Sequence, residues 1–89
     1  MAKKRRKLNK DFERKIYSSK KNVELVLAKI YDIDDEDIQK EYMSAFNSVV
    51  YLYEELKGDY EQQGFHESSE ELLTNYINAF NLFESEFEI

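Results

Sequence analysis

Apolar residues recur at helical spacing along three stretches of the chain. Phe12, Ile16, Ser19, Val23, Val26, Ile30 and Ile33 follow at steps of four and three, with Ser19 as the one polar gap. This predicts a helix over about 9–31. Within it, Ser18-Ser19-Lys20-Lys21-Asn22 holds side chains that compete for backbone hydrogen bonds and could split the helix in two. Val23-Glu24-Leu25-Val26-Leu27 has some strand character, but no hairpin signal or second strand is there to pair with it.

Asp32-Ile33-Asp34-Asp35-Glu36-Asp37 reads as a loop feeding a second helix, over about 35–63. Asp34 is placed to cap it, and the acids that follow suit the positive end of the helix dipole. This helix carries two apolar stripes. One is Ile38, Tyr42, Ala45, Val49, Leu52, Leu56; the other is Met43, Phe46, Val50, Tyr53 and Tyr60, with Lys57 in its gap. Two stripes imply packing between two neighbours, which makes the second helix central. Its polar face is Lys40, Ser44, Asn47, Tyr51 and Glu54. Gly58 falls there, inside the helix, at a cost of about 1 kcal/mol. Gly64 is the better stop, with Phe65 placed for a contact at the helix end.

Ser68-Ser69-Glu70-Glu71 has the form of a capping box, Ser68 as cap and Glu71 three residues on. A third helix, over about 69–87, follows with Leu73, Tyr76, Phe80, Phe83 and Phe87. Leu72, Leu82 and Ile89 lie off that stripe and either widen the buried face or meet a partner. Short connections between three such helices predict an all-α fold, a small up-down-up three-helix bundle. Residues 8–89 form its single domain. Residues 1–7, Met-Ala-Lys-Lys-Arg-Arg-Lys, have no apolar anchor and read as a mobile basic arm.

Composition agrees with this picture. There is no Pro and there are two Gly, so the turns a strand-rich domain needs are missing. With no Cys, neither a disulfide framework nor a thiolate metal site exists. No run approaches the roughly 18 apolar residues of a membrane span, and no apolar stretch follows the basic leader as a secretory signal requires. A cytoplasmic location is expected. Eighty-nine residues build a small core with a thin stability margin, so both monomer and homodimer are open.

Charge changes the picture more. The net charge is −6, but it is unevenly placed. Residues 1–29 hold eleven Lys/Arg against three acids, a balance of +8. Residues 30–89 hold two Lys against sixteen acids, a balance of −14, and the two together give −6. Antiparallel packing would bring the basic start of the first helix beside Glu54, Glu55, Asp59, Glu61, Glu67, Glu70 and Glu71, where internal pairing is the plain expectation. Such exposed pairs contribute about 0–1 kcal/mol each. At the opposite end Asp32, Asp34, Asp35, Glu36 and Asp37 would meet Glu84, Glu86 and Glu88, with Lys29 and Lys40 the only nearby cations. Acids at the close of a helix oppose its dipole. This acidic pole is the candidate partner-binding site; a solvated end that aids solubility is the alternative reading.

Lys3, Lys4, Arg5, Arg6, Lys7, Lys10 and Arg14 are candidate nucleic-acid contacts through phosphate. The net charge of −6 and the lack of a recognition helix weigh against that role. Seven Tyr and six Phe mostly fall on the apolar stripes. Tyr51, on a polar face, is a candidate contact, as are Leu82 and Ile89. Catalytic patterns are missing. His66 reads as a solvent-exposed loop residue with no paired nucleophile, and Asp32-x-Asp34-x-Glu36 departs from a calcium loop at Asp37 and Met43. No cofactor and no metal is expected.

The expected function is therefore non-enzymatic. A small regulator or inhibitor would dock its acidic surface on a basic partner protein, with a nucleic-acid-binding protein as one candidate. Small acidic helical proteins of phages and other mobile elements share this size and charge, and abundant Lys, Asn, Ile, Tyr and Phe suit an AT-rich genome. Nucleic-acid binding through the arm, and self-association as a scaffold or assembly chaperone, are the alternatives.

Overall fold

The apolar stripes form three α-helices in the computed structural model, which describes residues 7–88: α1 (Lys10–Tyr31), α2 (Glu36–Gln63) and α3 (Ser69–Glu86). The helices run up, down and up, and α2 packs against both others while α1 and α3 barely meet. The core comprises Phe12, Val23, Val26 and Ile30 from α1, Phe46, Val49, Tyr53 and Leu56 from α2, and Leu73, Tyr76 and Phe83 from α3. Phe46 is fully buried and meets the rings of Phe80 and Phe83 at 6.1 and 4.8 Å. The two stripes of α2 thus find the two neighbours they implied.

The first helix is unbroken. Ser19, the polar gap, turns its hydroxyl back to donate to the Lys15 carbonyl at 2.8 Å, and so can be buried without losing a hydrogen bond. Residues 23–27 are helical throughout.

Helix caps depart from expectation in two places. Asp35, not Asp34, caps α2. Its backbone is extended (φ −79°, ψ 117°), and its carboxylate accepts from the Asp37 and Ile38 amides at 2.9 and 3.2 Å. Ser68 forms no side-chain cap. Its backbone is helical (φ −92°, ψ −4°), which aims the hydroxyl away from the amides it would have to reach. Ser69 turns back instead and accepts from the His66 amide at 2.9 Å.

Gly64 ends α2 with φ 73° and ψ −162°, a conformation open to glycine and strained for any L-residue. Gly58 lies within the helix. Beyond Gly64 the chain meets the leader. The Phe65 amide donates to the Lys7 carbonyl at 2.7 Å, and the Phe65 ring packs edge-on against Phe12 at 5.0 Å. Lys7, expected in the free arm, is held to the domain by this bridge and sits with its ammonium 5.9 Å from the Phe65 ring centre. The rest of the expected arm, residues 1–6, lies outside the described residues.

Candidate functional site

Local signals set where each end of the bundle falls. At one end the start of α1 meets the close of α2. The Tyr60 hydroxyl accepts from the Asn9 amide at 3.0 Å and donates to a Glu13 carboxylate oxygen at 2.5 Å. Asn9 in turn caps α1 through the Phe12 amide. At the other end Gln39 on α2 reaches back over the close of α1. Its side-chain nitrogen shares two protons among the carbonyls of Ile30, Tyr31 and Ile33, at 3.2, 3.1 and 3.4 Å. The Ile30 carbonyl also accepts from the Ile33 amide at 3.1 Å, and the Gln39 bonds tie the acidic bend to α2. No periodicity marks this residue; its long amide one turn into a helix was the only hint.

The close of α3 reaches the same end. The Tyr42 hydroxyl donates to the Glu88 carbonyl at 3.2 Å, and its ring lies 4.9 Å from Phe87 and 6.4 Å from Phe83. Phe87 has left the helix (φ −126°, ψ 116°), which lets its ring stack on Phe83 at 5.1 Å. Asp32, Asp34, Asp35, Glu36, Asp37, Glu84, Glu86 and Glu88 are all exposed. Among the described residues none of the eight makes an ion pair with a Lys or Arg. No basic residue lies in the last turn of α3, so the dipole there gains no counter-charge.

Among the described residues, Glu54, Glu55, Glu67, Glu70 and Glu71 form no ion pair with Lys or Arg. Arg14 pairs instead with Asp11 on its own helix, at 3.4 Å and well exposed, and Lys10 is exposed. Lys3, Lys4, Arg5 and Arg6 lie outside the described residues, as does Ile89. Tyr51 and Leu82 are exposed at 66% and 60%.

His66 corrects the expectation of a solvent-exposed loop residue. It is half-buried, and its Nε2 lies 2.6 Å from an Asp59 carboxylate oxygen. Its Nδ1 accepts from the Ser68 amide at 3.3 Å, so the ring proton sits on Nε2 and is donated to Asp59. Gln63 donates to the other oxygen of Asp59 at 3.1 Å. This set closes the α2–α3 turn. Among the described residues no three His, Cys, Asp or Glu side chains are grouped to hold a metal ion, and no helix is long and apolar enough to cross a membrane.

A second surface was not legible as a stripe. Leu25 on α1 and Ile77 on α3 are exposed at 57% and 42% and face one groove between the two helices, of about 550 Å³. Tyr76 closes its floor, donating from its hydroxyl to the Ser19 carbonyl at 3.3 Å. On the α1 side Ser18, Ser19 and Asn22 line the groove, side chains too small to fill it. Comparison with protein-family models, with characterised proteins and with solved structures gives no match, so the reading of these surfaces rests on their own chemistry.

Proposed function

We propose that the protein is a small, non-enzymatic interaction module that docks its acidic end on a basic surface of a partner protein, as a regulator or inhibitor would. One observation carries the reading. The clamp of Tyr42 on Phe87 and Glu88 holds the carboxylates that close α3 beside those that open α2, away from the Lys/Arg-rich start of α1. Eight carboxylates in one exposed region raise its negative potential, and α3 contributes its own negative dipole end. The cost of assembling such a region within one small domain is offset when a partner supplies cations. A nucleic-acid-binding groove is a basic surface of the right kind. Contacts of this sort raise the association rate and weaken with salt.

The test compares affinity capture from cells of the source by the intact protein and by a variant with Asp34→Lys, Glu86→Lys and Glu88→Lys. These three positions spare the Asp35 cap. A basic protein should be retained by the intact chain, released near 0.5 M salt, and lost with the variant. Capture that persists through both changes would remove the acidic end from the mechanism.

A further inference from the structure

The groove between α1 and α3 carries an inference separate from the acidic end. Its apolar lining is Leu25 and Val26 from α1, and Leu73, Tyr76, Ile77 and Phe80 from α3, beside the polar Ser18, Ser19, Asn22 and Asn81. Its charged lining is Lys15, Lys29 and Arg14, the last paired outside the groove with Asp11 at 3.4 Å, against Glu84, a balance of +2 among the lining residues on a chain of net −6. From Leu73 to Glu84 the α3 wall runs eleven residues, about 16 Å at 1.5 Å each. That length accepts about three turns of helix.

We propose that this groove receives an amphipathic helix of a second protein, with carboxylates flanking its apolar stripe. Charge selects this occupant. A second copy presenting the same face would bring Glu84 as its one acid against three cations and would double the excess of +2. A partner with acidic flanks neutralises them, and over a Debye length of about 8–10 Å the charges lining the groove are the ones it meets first. Polarity follows as well. α1 and α3 both run from the basic end to the acidic end. The negative dipole end of the incoming helix is favoured beside Arg14 and Lys15, and its positive end beside Glu84. It therefore lies antiparallel to α1 and α3 and parallel to α2, as a fourth helix completing the bundle.

The probe is a synthetic peptide of about 16 residues, with Leu repeating at steps of four and three, Glu flanking the stripe and Gln elsewhere. A matching peptide carries Lys for Glu. Titration into the isotope-labelled protein, followed by amide chemical shifts, should move Asn22, Leu25, Ile77 and Asn81, with the Lys peptide at least about tenfold weaker. Leu25→Glu with Ile77→Glu, at exposed positions that leave the core intact, should abolish those shifts while the helical circular dichroism is kept. Arg14→Glu, Lys15→Glu and Lys29→Glu together should invert the preference between peptides. Glu86→Lys with Glu88→Lys, outside the groove, should leave peptide binding unchanged, which separates this inference from docking at the acidic end. Equal binding of the two peptides, or no shift in the groove at millimolar peptide, overturns the proposal. So does a concentration-dependent dimer in sedimentation that Leu25→Glu dissolves, because a second copy would then fill the groove.

Discussion

Replacing Tyr76 by Phe isolates one hydroxyl that joins α3 to α1. The ring is buried and stays in place against Tyr53 and Phe80, with centroids 6.1 and 5.9 Å away, so packing is conserved. What is lost is the bond to the Ser19 carbonyl at 3.3 Å. An average intramolecular hydrogen bond contributes about 0.5–1.5 kcal/mol net. This one is long, and the carbonyl keeps its helical partner four residues on, so the low half of that range applies, about 0.5–1 kcal/mol near neutral pH. In a domain this size that lowers the melting temperature by a few degrees, about 4–8 °C per kcal/mol. The pH dependence supplies a second reading. Burial raises the pKa of Tyr76 above the ordinary 10.0, by more than the adjoining Ser19 hydroxyl lowers it. Tyr53 is raised as well, mainly by burial and then by Glu54, Glu24 and Glu61. A phenol raised in the folded state contributes stability that is fully present below the unfolded value near 10. That stability is lost as pH climbs through the folded value, because the unfolded chain gives up its proton first. The intact protein should therefore lose stability above about pH 10 more steeply than Tyr76→Phe, which retains only the Tyr53 contribution. Urea unfolding followed by circular dichroism at pH 7, 9, 10 and 11 measures both effects. The difference between the two proteins should shrink from pH 9 to 11. A difference that stays constant with pH, or one above about 2 kcal/mol at pH 7, would refute the role assigned to the hydroxyl.

Two glycines should respond with opposite signs. Gly64→Ala forces an L-residue into a conformation nearly exclusive to glycine and should destabilise by about 1–3 kcal/mol. Gly58→Ala meets no atom within 4 Å and should stabilise by about 0.5–1 kcal/mol through helix propensity; chemical denaturation compares the pair. Tyr60→Phe leaves the Phe12 ring contact at 5.6 Å but removes both hydroxyl bonds, to Asn9 and Glu13, and should cost about 1–2 kcal/mol. A double-mutant cycle with Glu13→Gln should return a coupling of at least about 0.5 kcal/mol, and strict additivity would count against the charged bond.

The three helices and their antiparallel order could be read from local pattern alone. Phe12 to Ile30, Phe46 to Leu56 and Leu73 to Phe83 sit at steps that only a helix brings onto one face, and the core uses those residues. The stop at Gly64 was legible for the same reason, since the need for positive φ is a property of one residue. Capping was less legible. Several acids and serines compete at each helix start, and backbone angles settled by packing decide among them. Asp35 is extended and caps; Ser68 is helical and does not. The pairing of His66 with Asp59, and the hold of Gln39 on the end of α1, join side chains that periodicity treats as unrelated.

What the chain determines by itself is thus its helical content, its connection order and the split of charge along its length, because each depends on neighbours within a turn or two. Only the tertiary structure decides how far α1 stands from α3. At that spacing the Tyr76 hydroxyl reaches the Ser19 backbone carbonyl across 57 residues of sequence, and Leu25 and Ile77 stay exposed along a groove lined by three cations and one acid. Distance between two helices is a sum over both surfaces, so neither stripe read alone could reveal it.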